Sequence, residues 1–113
     1  MAAAAGNTLI IHPWNPTNKL IKEDDVMKIF DTMGIASKIT IQDLSRYQKA
    51  FVHSSYVEAT ANQALSNHKK VIFSACPSDC LPFQDESYEN LEFLGDRVIE
   101  LCVVWYLYLR FPM

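Results

Sequence analysis

Apolar positions recur at helical spacing in three stretches of the chain. Val26, Ile29, Phe30 and Met33 fall at i, i+3, i+4 and i+7, a single stripe that predicts a helix from about Glu23 to Met33. Glu23, Asp24 and Asp25 load its first turn, where the positive end of the helix dipole favours carboxylates, and Gly34 is placed to stop it. Leu44, Tyr47 and Phe51 give a second apolar face. It predicts a helix starting near Thr40, where Thr40-x-x-Asp43 resembles a capping box, and ending around His53 to Tyr56. The third helix is expected to start between Asp85 and Ser87 and to run to about Leu109. Its second half, Val98 to Leu107, is apolar nearly all round, and such a helix is buried on several sides. Two shorter helices cannot cover it, so it calls for more chain or another protomer.

Elsewhere the pattern weakens. Residues 7–20 hold His12, Pro13, Trp14, Asn15, Pro16 and Asn18, which predicts an extended, turn-rich lead-in that packs Trp14 onto the domain. Residues 57–86 are the least periodic. Val71, Ile72 and Phe73 read as a short strand or an anchor, and Pro77, Ser78, Asp79 and Pro82 read as loop. His68, Lys69 and Lys70 form the one cationic cluster, with a solvated loop tip as its default reading. His53 is a conceivable base, but a lone His at a helix end more often serves structure.

Composition narrows the options. A chain of 113 residues is one domain at most. Its 50% apolar and 20% charged residues exclude a disordered tail. The net charge of −3 excludes a broadly basic nucleic-acid footprint, so contact with a polyanion must run through a few residues, a metal ion or a partner. The longest apolar run, Leu101 to Leu109, falls well short of the about 20 residues that span a bilayer. The alanine-rich start lacks the layout of a secretory signal, and three cysteines are an odd count, so reduced thiols in an intracellular compartment are expected. Cys76 and Cys80, with His68 upstream, offer three zinc donors without a fourth, so a surface loop that holds two thiols is the preferred reading. Cys102 reads as a small buried hydrophobe.

Carboxylates supply the sharpest chemical signal. Of the 13 acids, Asp79, Asp85, Glu86, Glu89, Glu92, Asp96 and Glu100 crowd one short stretch with Arg97 as its cation. Spacings of three and four residues put Glu89, Glu92 and Asp96 on one helical face, and Glu100 extends it by a turn. Like charges at that spacing weaken a helix by a few tenths of a kcal/mol, and more where water is excluded. The apolar neighbours Leu91, Phe93, Leu94 and Val98 therefore point to a hard divalent cation that offsets the repulsion. Against this stands a solvated acidic face. Gly95, costly inside a helix, leaves room for a ligand or another backbone beside the acids.

The run Glu89-Asn90-Leu91-Glu92-Phe93-Leu94-Gly95-Asp96 resembles the signature motif of the ribonuclease III family. The segment Ala50-Phe51-Val52-His53-Ser54-Ser55 is similar to the stretch that precedes that motif in the family, and the likeness covers roughly residues 40–112. The lead-in around Asn15-Pro16-Thr17-Asn18-Lys19 resembles ribonuclease III-like proteins of large DNA viruses. The resemblance implies an all-α, ribonuclease III-like helical endonuclease domain, truncated, with a long buried signature helix. Residues 1–20 form the lead-in, and residues 21–113 form the N-terminal portion of that domain with an insertion loop at about 57–86.

The roles it implies are specific. Glu92 and Asp96 are Mg2+ ligands, with Mn2+ able to substitute. Glu89 is the accessory catalytic carboxylate. Phe93 inserts into a second subunit of a homodimer. The implied reaction is hydrolysis of double-stranded RNA to 3′-hydroxyl and 5′-phosphate ends, in the cytoplasm or nucleus, or the host cytoplasm for a viral protein. The family's second acidic pair and its basic RNA-binding domain have no counterpart here, so the chain alone is expected to hold half of each metal site, to be inactive and to aggregate. The alternatives are a non-catalytic RNA-binding or structural subunit of the same fold, and a small helical interaction module whose acidic stripe is mere surface.

Overall fold

The computed structural model describes residues 8–66 and 70–112. In chain order they form β1 (Leu9–Ile11), α1 (Glu23–Thr32), a 3-10 turn (Ala36–Lys38) and α2 (Leu44–Ala50). A second 3-10 turn (Ser54–Tyr56), α3 (Glu58–Ser66), β2 (Val71–Phe73) and α4 (Glu89–Arg110) follow. His68 and Lys69 of the expected cationic cluster lie outside the described residues.

The first helix matches its apolar stripe. Val26 is its buried anchor at 2% exposure. The Asp25 carboxylate accepts from the Lys22 backbone N–H at 3.1 Å, which satisfies one of the free donors at the helix start. At the other end Gly34 takes φ +75°. Its N–H donates to the Asp31 carbonyl, and that of Ile35 donates to the Phe30 carbonyl, which is the paired closure of a Schellman motif.

The second helix starts later and ends sooner than its apolar face suggests. Asp43, not Thr40, is the N-cap and accepts from the Ser45 N–H at 3.1 Å. The Ser45 hydroxyl donates to the same carboxylate and holds its pKa below the usual range. The chain leaves the helix at Phe51 and turns again through Ser54–Tyr56, where the His53 ring caps the turn.

Two corrections concern fold class. The chain is mostly helical rather than all-α, because β1 and β2 pair in parallel, with Ile10 opposite Ile72. Three-residue strands are too short to show a period, and a ring cluster beside them brings them together. The Phe83 ring lies 4.8 Å from that of Trp14, 5.1 Å from Tyr56 and 5.2 Å from Phe73, and the Trp14 indole N–H donates to the Ser74 carbonyl at 3.1 Å. Trp14 thus anchors the lead-in as expected. Residues 57–86 are also more than loop. They contain α3 and β2 and are stitched down by Gln84 N–H to the Tyr56 carbonyl (2.9 Å) and Glu58 N–H to the Gln84 carbonyl (3.1 Å). The helix α3 escapes pattern reading because it buries a small Ala61 rather than a broad apolar stripe.

The buried apolar core among the described residues is small: Val26, Val52, Val57 and Ala61. Beyond it runs α4, 22 residues and about 33 Å long. No residue of α4 is buried, so the expectation of a buried signature helix is overturned. Phe93 is 69% exposed, Leu101 66% and Cys102 is also exposed. The reason is coverage, since among the described residues the main contact of α4 is with α2. The molecule is accordingly elongated, 76 Å by 35 Å by 19 Å.

Candidate active site

The start of α4 is fixed to the small lobe by three ties. The Tyr88 N–H donates to the Val52 carbonyl at 2.9 Å. Lys49 on α2 forms an ion pair with Glu86. The Tyr88 ring lies 6.1 Å from the His53 ring. These ties set the direction in which the first turns of α4 present their side chains. Neither Lys49–Glu86 nor Tyr88 stood out in the sequence, since an ion pair between residues so far apart has no periodic signal.

Glu89, Glu92 and Asp96 all sit on these first turns, and all are exposed. Glu89 and Glu92 occupy the first turn, where the helix dipole stabilises negative charge. Glu92 also lines a notch of about 250 Å3 with Ala50, Tyr88 and Leu91. Glu100, expected to continue the stripe, is paired with Arg97 at 2.7 Å. The Arg97 guanidinium also lies 5.4 Å from the centre of the Phe93 ring.

Exposure changes the case for a cation. The apolar neighbours Phe93, Leu94 and Val98 are themselves 69%, 61% and 52% exposed, so they do not strip water from Glu92 and Asp96. The desolvation that pointed to a metal is absent in this chain. What remains is the donor set. Hard carboxylate oxygens one helical turn apart suit Mg2+ or Mn2+, which take oxygen ligands and keep several waters. Among the described residues no three His, Cys, Asp or Glu side chains stand together as a metal site. Glu92 and Asp96 therefore fit a divalent ion as part of a ligand set, not as a whole one.

The remaining candidates resolve simply. His53 Nδ1 accepts from the Ser55 N–H at 3.2 Å, so this ring serves the turn. Cys76 and Cys80 flank an exposed turn closed by Cys80 N–H to the Pro77 carbonyl at 3.1 Å. Desolvation, and then the Asp79 carboxylate, push the Cys80 thiol up in pKa. Among the described residues Cys76 and Cys80 join no third metal donor, and His68 lies outside those residues. Gly95 has no atom of this chain within 4 Å of where a Cβ would stand, so the space beside the acids is open.

A mostly helical chain that displays paired acids on a long, uncovered helix is the class of protein these observations define. Comparison with known proteins makes it specific. The chain is 38% identical over 74 residues to Ribonuclease 3 of Enterococcus faecalis, which covers 66% of this chain and 24% of that protein. It is 33% identical over 85 residues to Ribonuclease 3 of Staphylococcus aureus, 75% of this chain and 27% of that protein. It is 36% identical over 64 residues to protein Dicer of Schizosaccharomyces pombe, 55% of this chain and 5% of that protein. No protein-family profile matches the chain. No solved structure matches it either. The chain is related to the ribonuclease III family. It spans about a quarter of the length of the Ribonuclease 3 relatives it matches. Among the described residues no helix is long and apolar enough to cross a membrane.

Proposed function

We propose that this chain forms part of a double-stranded-RNA-specific endoribonuclease domain of the ribonuclease III type. The observation that carries the reading is the run Glu89 to Asp96 on the first turns of α4, with Glu92 and Asp96 open to solvent one turn apart. Glu92 and Asp96 would hold Mg2+, or Mn2+ in its place, and Glu89 would serve as the accessory carboxylate. When bound, the cation supplies a Lewis acid that activates water and offsets charge on the scissile phosphate. The carboxylates would fix that ion at the helix start, and the Tyr88–Val52 hydrogen bond ties that start to the segment just after α2.

The described residues supply only part of a ligand set, so the complete site draws further acids from additional chain or a second copy. Phe93, 69% exposed one residue beyond Glu92, is the side chain we assign to the homodimer contact along α4. Alone, the 113 residues are expected to be inactive. The test is cleavage of long duplex RNA with Mg2+ present. The 113-residue chain should not cut by itself, and cutting should appear, and be abolished by Glu92→Gln, when a segment that supplies a second acidic pair is joined to it. Robust Glu92-dependent cutting by the 113-residue chain would overturn the partial-site reading.

The absence of a three-donor cluster among the described residues favours one second reading, a non-catalytic subunit of the same fold that binds RNA or serves structure. Mg2+ titration by calorimetry separates the two. Uptake that Asp96→Asn removes supports the nuclease, and no uptake by the chain supports the subunit.

A further inference from the structure

Cys76 and Cys80 stand at the two ends of one tight turn. The Cys80 N–H donates to the Pro77 carbonyl at 3.1 Å, so Cys76 leads into the turn and Cys80 closes it. The Cys76 thiol points back across the turn, 3.5 Å from the Pro77 carbonyl oxygen and 3.6 Å from that of Cys80. Because a carbonyl oxygen lies about 2.4 Å from its own Cα, the Cys76 sulfur stands within about 6 Å of the Cys80 Cα. A disulfide joins Cα atoms about 4.4–6.8 Å apart, so a change of side-chain rotamer covers the remaining gap.

The lobe pins this turn on both sides. Before it, the Ser74 N–H donates to the Ile11 carbonyl at 2.9 Å. After it, the Leu81 carbonyl accepts from the Tyr56 hydroxyl at 2.6 Å. The two thiols therefore stay neighbours for as long as the lobe is folded. Their surroundings sort them into different roles. Cys76 is exposed and is the sulfur that a dissolved oxidant meets. Cys80 is partly covered, and its thiol donates to the Asp79 carboxylate at 3.7 Å. Desolvation and that carboxylate both push its pKa up, so Cys80 is the thiol that waits in its protonated form. With no third donor joined to the pair among the described residues, redox chemistry suits it better than a metal.

We propose that Cys76 and Cys80 form a reversible oxidation site, in which a hydroperoxide attacks at Cys76 and Cys80 closes the disulfide across the turn. With hydrogen peroxide the step balances. The Cys76 sulfur takes one oxygen as the O–O bond breaks, giving a sulfenic acid, and the proton it loses leaves with the other oxygen as water. The Cys80 sulfur then displaces the hydroxyl, the S–O bond breaks, and the Cys80 proton leaves with it as a second water. A small thiol reverses the bridge by exchange, and two of its molecules end as their own disulfide. The site goes beyond the nuclease reading and does not depend on it. Its position is consequential all the same, because Phe83, Glu86 and Tyr88, which anchor the approach to α4, follow Cys80 directly along the chain.

The experiment equilibrates the 113-residue chain in glutathione redox buffers, quenches it in acid and weighs its tryptic peptides. The peptide Val71–Arg97 carries Cys76 and Cys80 but not Cys102. In the folded chain it should become lighter by two hydrogens. Its oxidised-to-reduced ratio should exceed that in concentrated urea, in the same redox buffer, by about tenfold or more, since the turn holds the thiols together in advance. Stoichiometric hydrogen peroxide should give the same peptide, and dithiothreitol should restore the original mass. Cys80→Ser should leave Cys76 carrying an added oxygen or a glutathione, whereas Cys102→Ser should change nothing. Circular dichroism of the oxidised chain should match that of the reduced chain. Equal ratios with and without urea, glutathione adducts in place of the bridge, a bridge to Cys102, or a bridge that forms only as the helical signal is lost would each overturn the assignment.

Discussion

The Tyr88 backbone N–H donates to the Val52 carbonyl at 2.9 Å, and Val52 is one of the few buried side chains of the lobe at 7% exposure. The most sheltered part of the molecule therefore holds the start of its most exposed helix. The acids of α4 take their position from this bond and not from packing around them.

That arrangement predicts how the carboxylates respond to substitution. In the 113-residue chain, Glu92→Gln and Asp96→Asn should each change stability by no more than about 0.5 kcal/mol, as exposed sites do. In a chain completed with a second acidic pair each should lower Mg2+-dependent cleavage by about 100-fold or more, since loss even of a residue supporting a metal ligand costs about 10–100-fold. Urea denaturation and a duplex-RNA cleavage assay measure the two effects.

Phe83 should matter more to stability than any of the acids. Its ring meets Trp14, Tyr56 and Phe73, so Phe83→Ala removes three aromatic contacts together. A loss of about 2–4 kcal/mol is expected for this half-buried site. The lead-in should detach with it, read as faster hydrogen exchange at Leu9 to Ile11.

Tyr56 gives the fold an alkaline limit. Its hydroxyl donates to the Leu81 carbonyl at 2.6 Å, and burial raises its pKa above the usual tyrosine value. A raised folded-state pKa means that the stabilisation is complete below the unfolded tyrosine pKa. It is lost as pH rises through the folded value. Absorbance at 295 nm should show one tyrosine titrating late. Tyr56→Phe should remove that late step and cost about 1 kcal/mol.

Asp43 acts at the opposite end of the pH scale. The Ser45 hydroxyl holds its pKa below the ordinary value, so its contribution is present above the unfolded carboxylate pKa and fades as pH falls through the folded one. Asp43→Asn, which keeps an acceptor oxygen, should flatten the acid limb of a stability–pH curve. Asp43→Ala should also weaken α2 at neutral pH.

Gly95 and Phe93 test the assembly surface. With no atom within 4 Å of a Cβ at Gly95, Gly95→Ala should stabilise α4 in the lone chain by about 1 kcal/mol. If a second copy seats against this face, the same change should weaken self-association about tenfold, as should Phe93→Ala. Sedimentation velocity over a concentration series reads both.

The legible parts of the sequence were those with a local cause. The α1 stripe, the stop at Gly34 and the length of α4 depend on residues a few positions apart, and they match the structure. The Trp14 anchor was also legible, because a lone indole in a polar lead-in has little other use. The strand pair was only half visible: its Val71–Phe73 half can be read as a strand, but its partner lies some 60 positions upstream, beyond any short-range pattern. The site divided in the same way. The spacing of Glu89, Glu92 and Asp96 showed a shared face, but it carried no information on solvent access. Access depends on what covers Phe93 to Leu109, and the apolar composition of that stretch recorded a demand for cover that nothing among the described residues meets.

The placement of the two tryptophans has a spectroscopic consequence. Trp14 is locked in the ring cluster, whereas Trp105 stacks on Tyr108 near the far end of α4 and is 59% exposed. One chromophore is half-buried and the other exposed before any partner arrives. Emission from Trp105 should shift to the blue when α4 is sheathed, and emission from Trp14 should shift to the red when the lobe melts, so the chain carries separate optical markers for docking and for collapse.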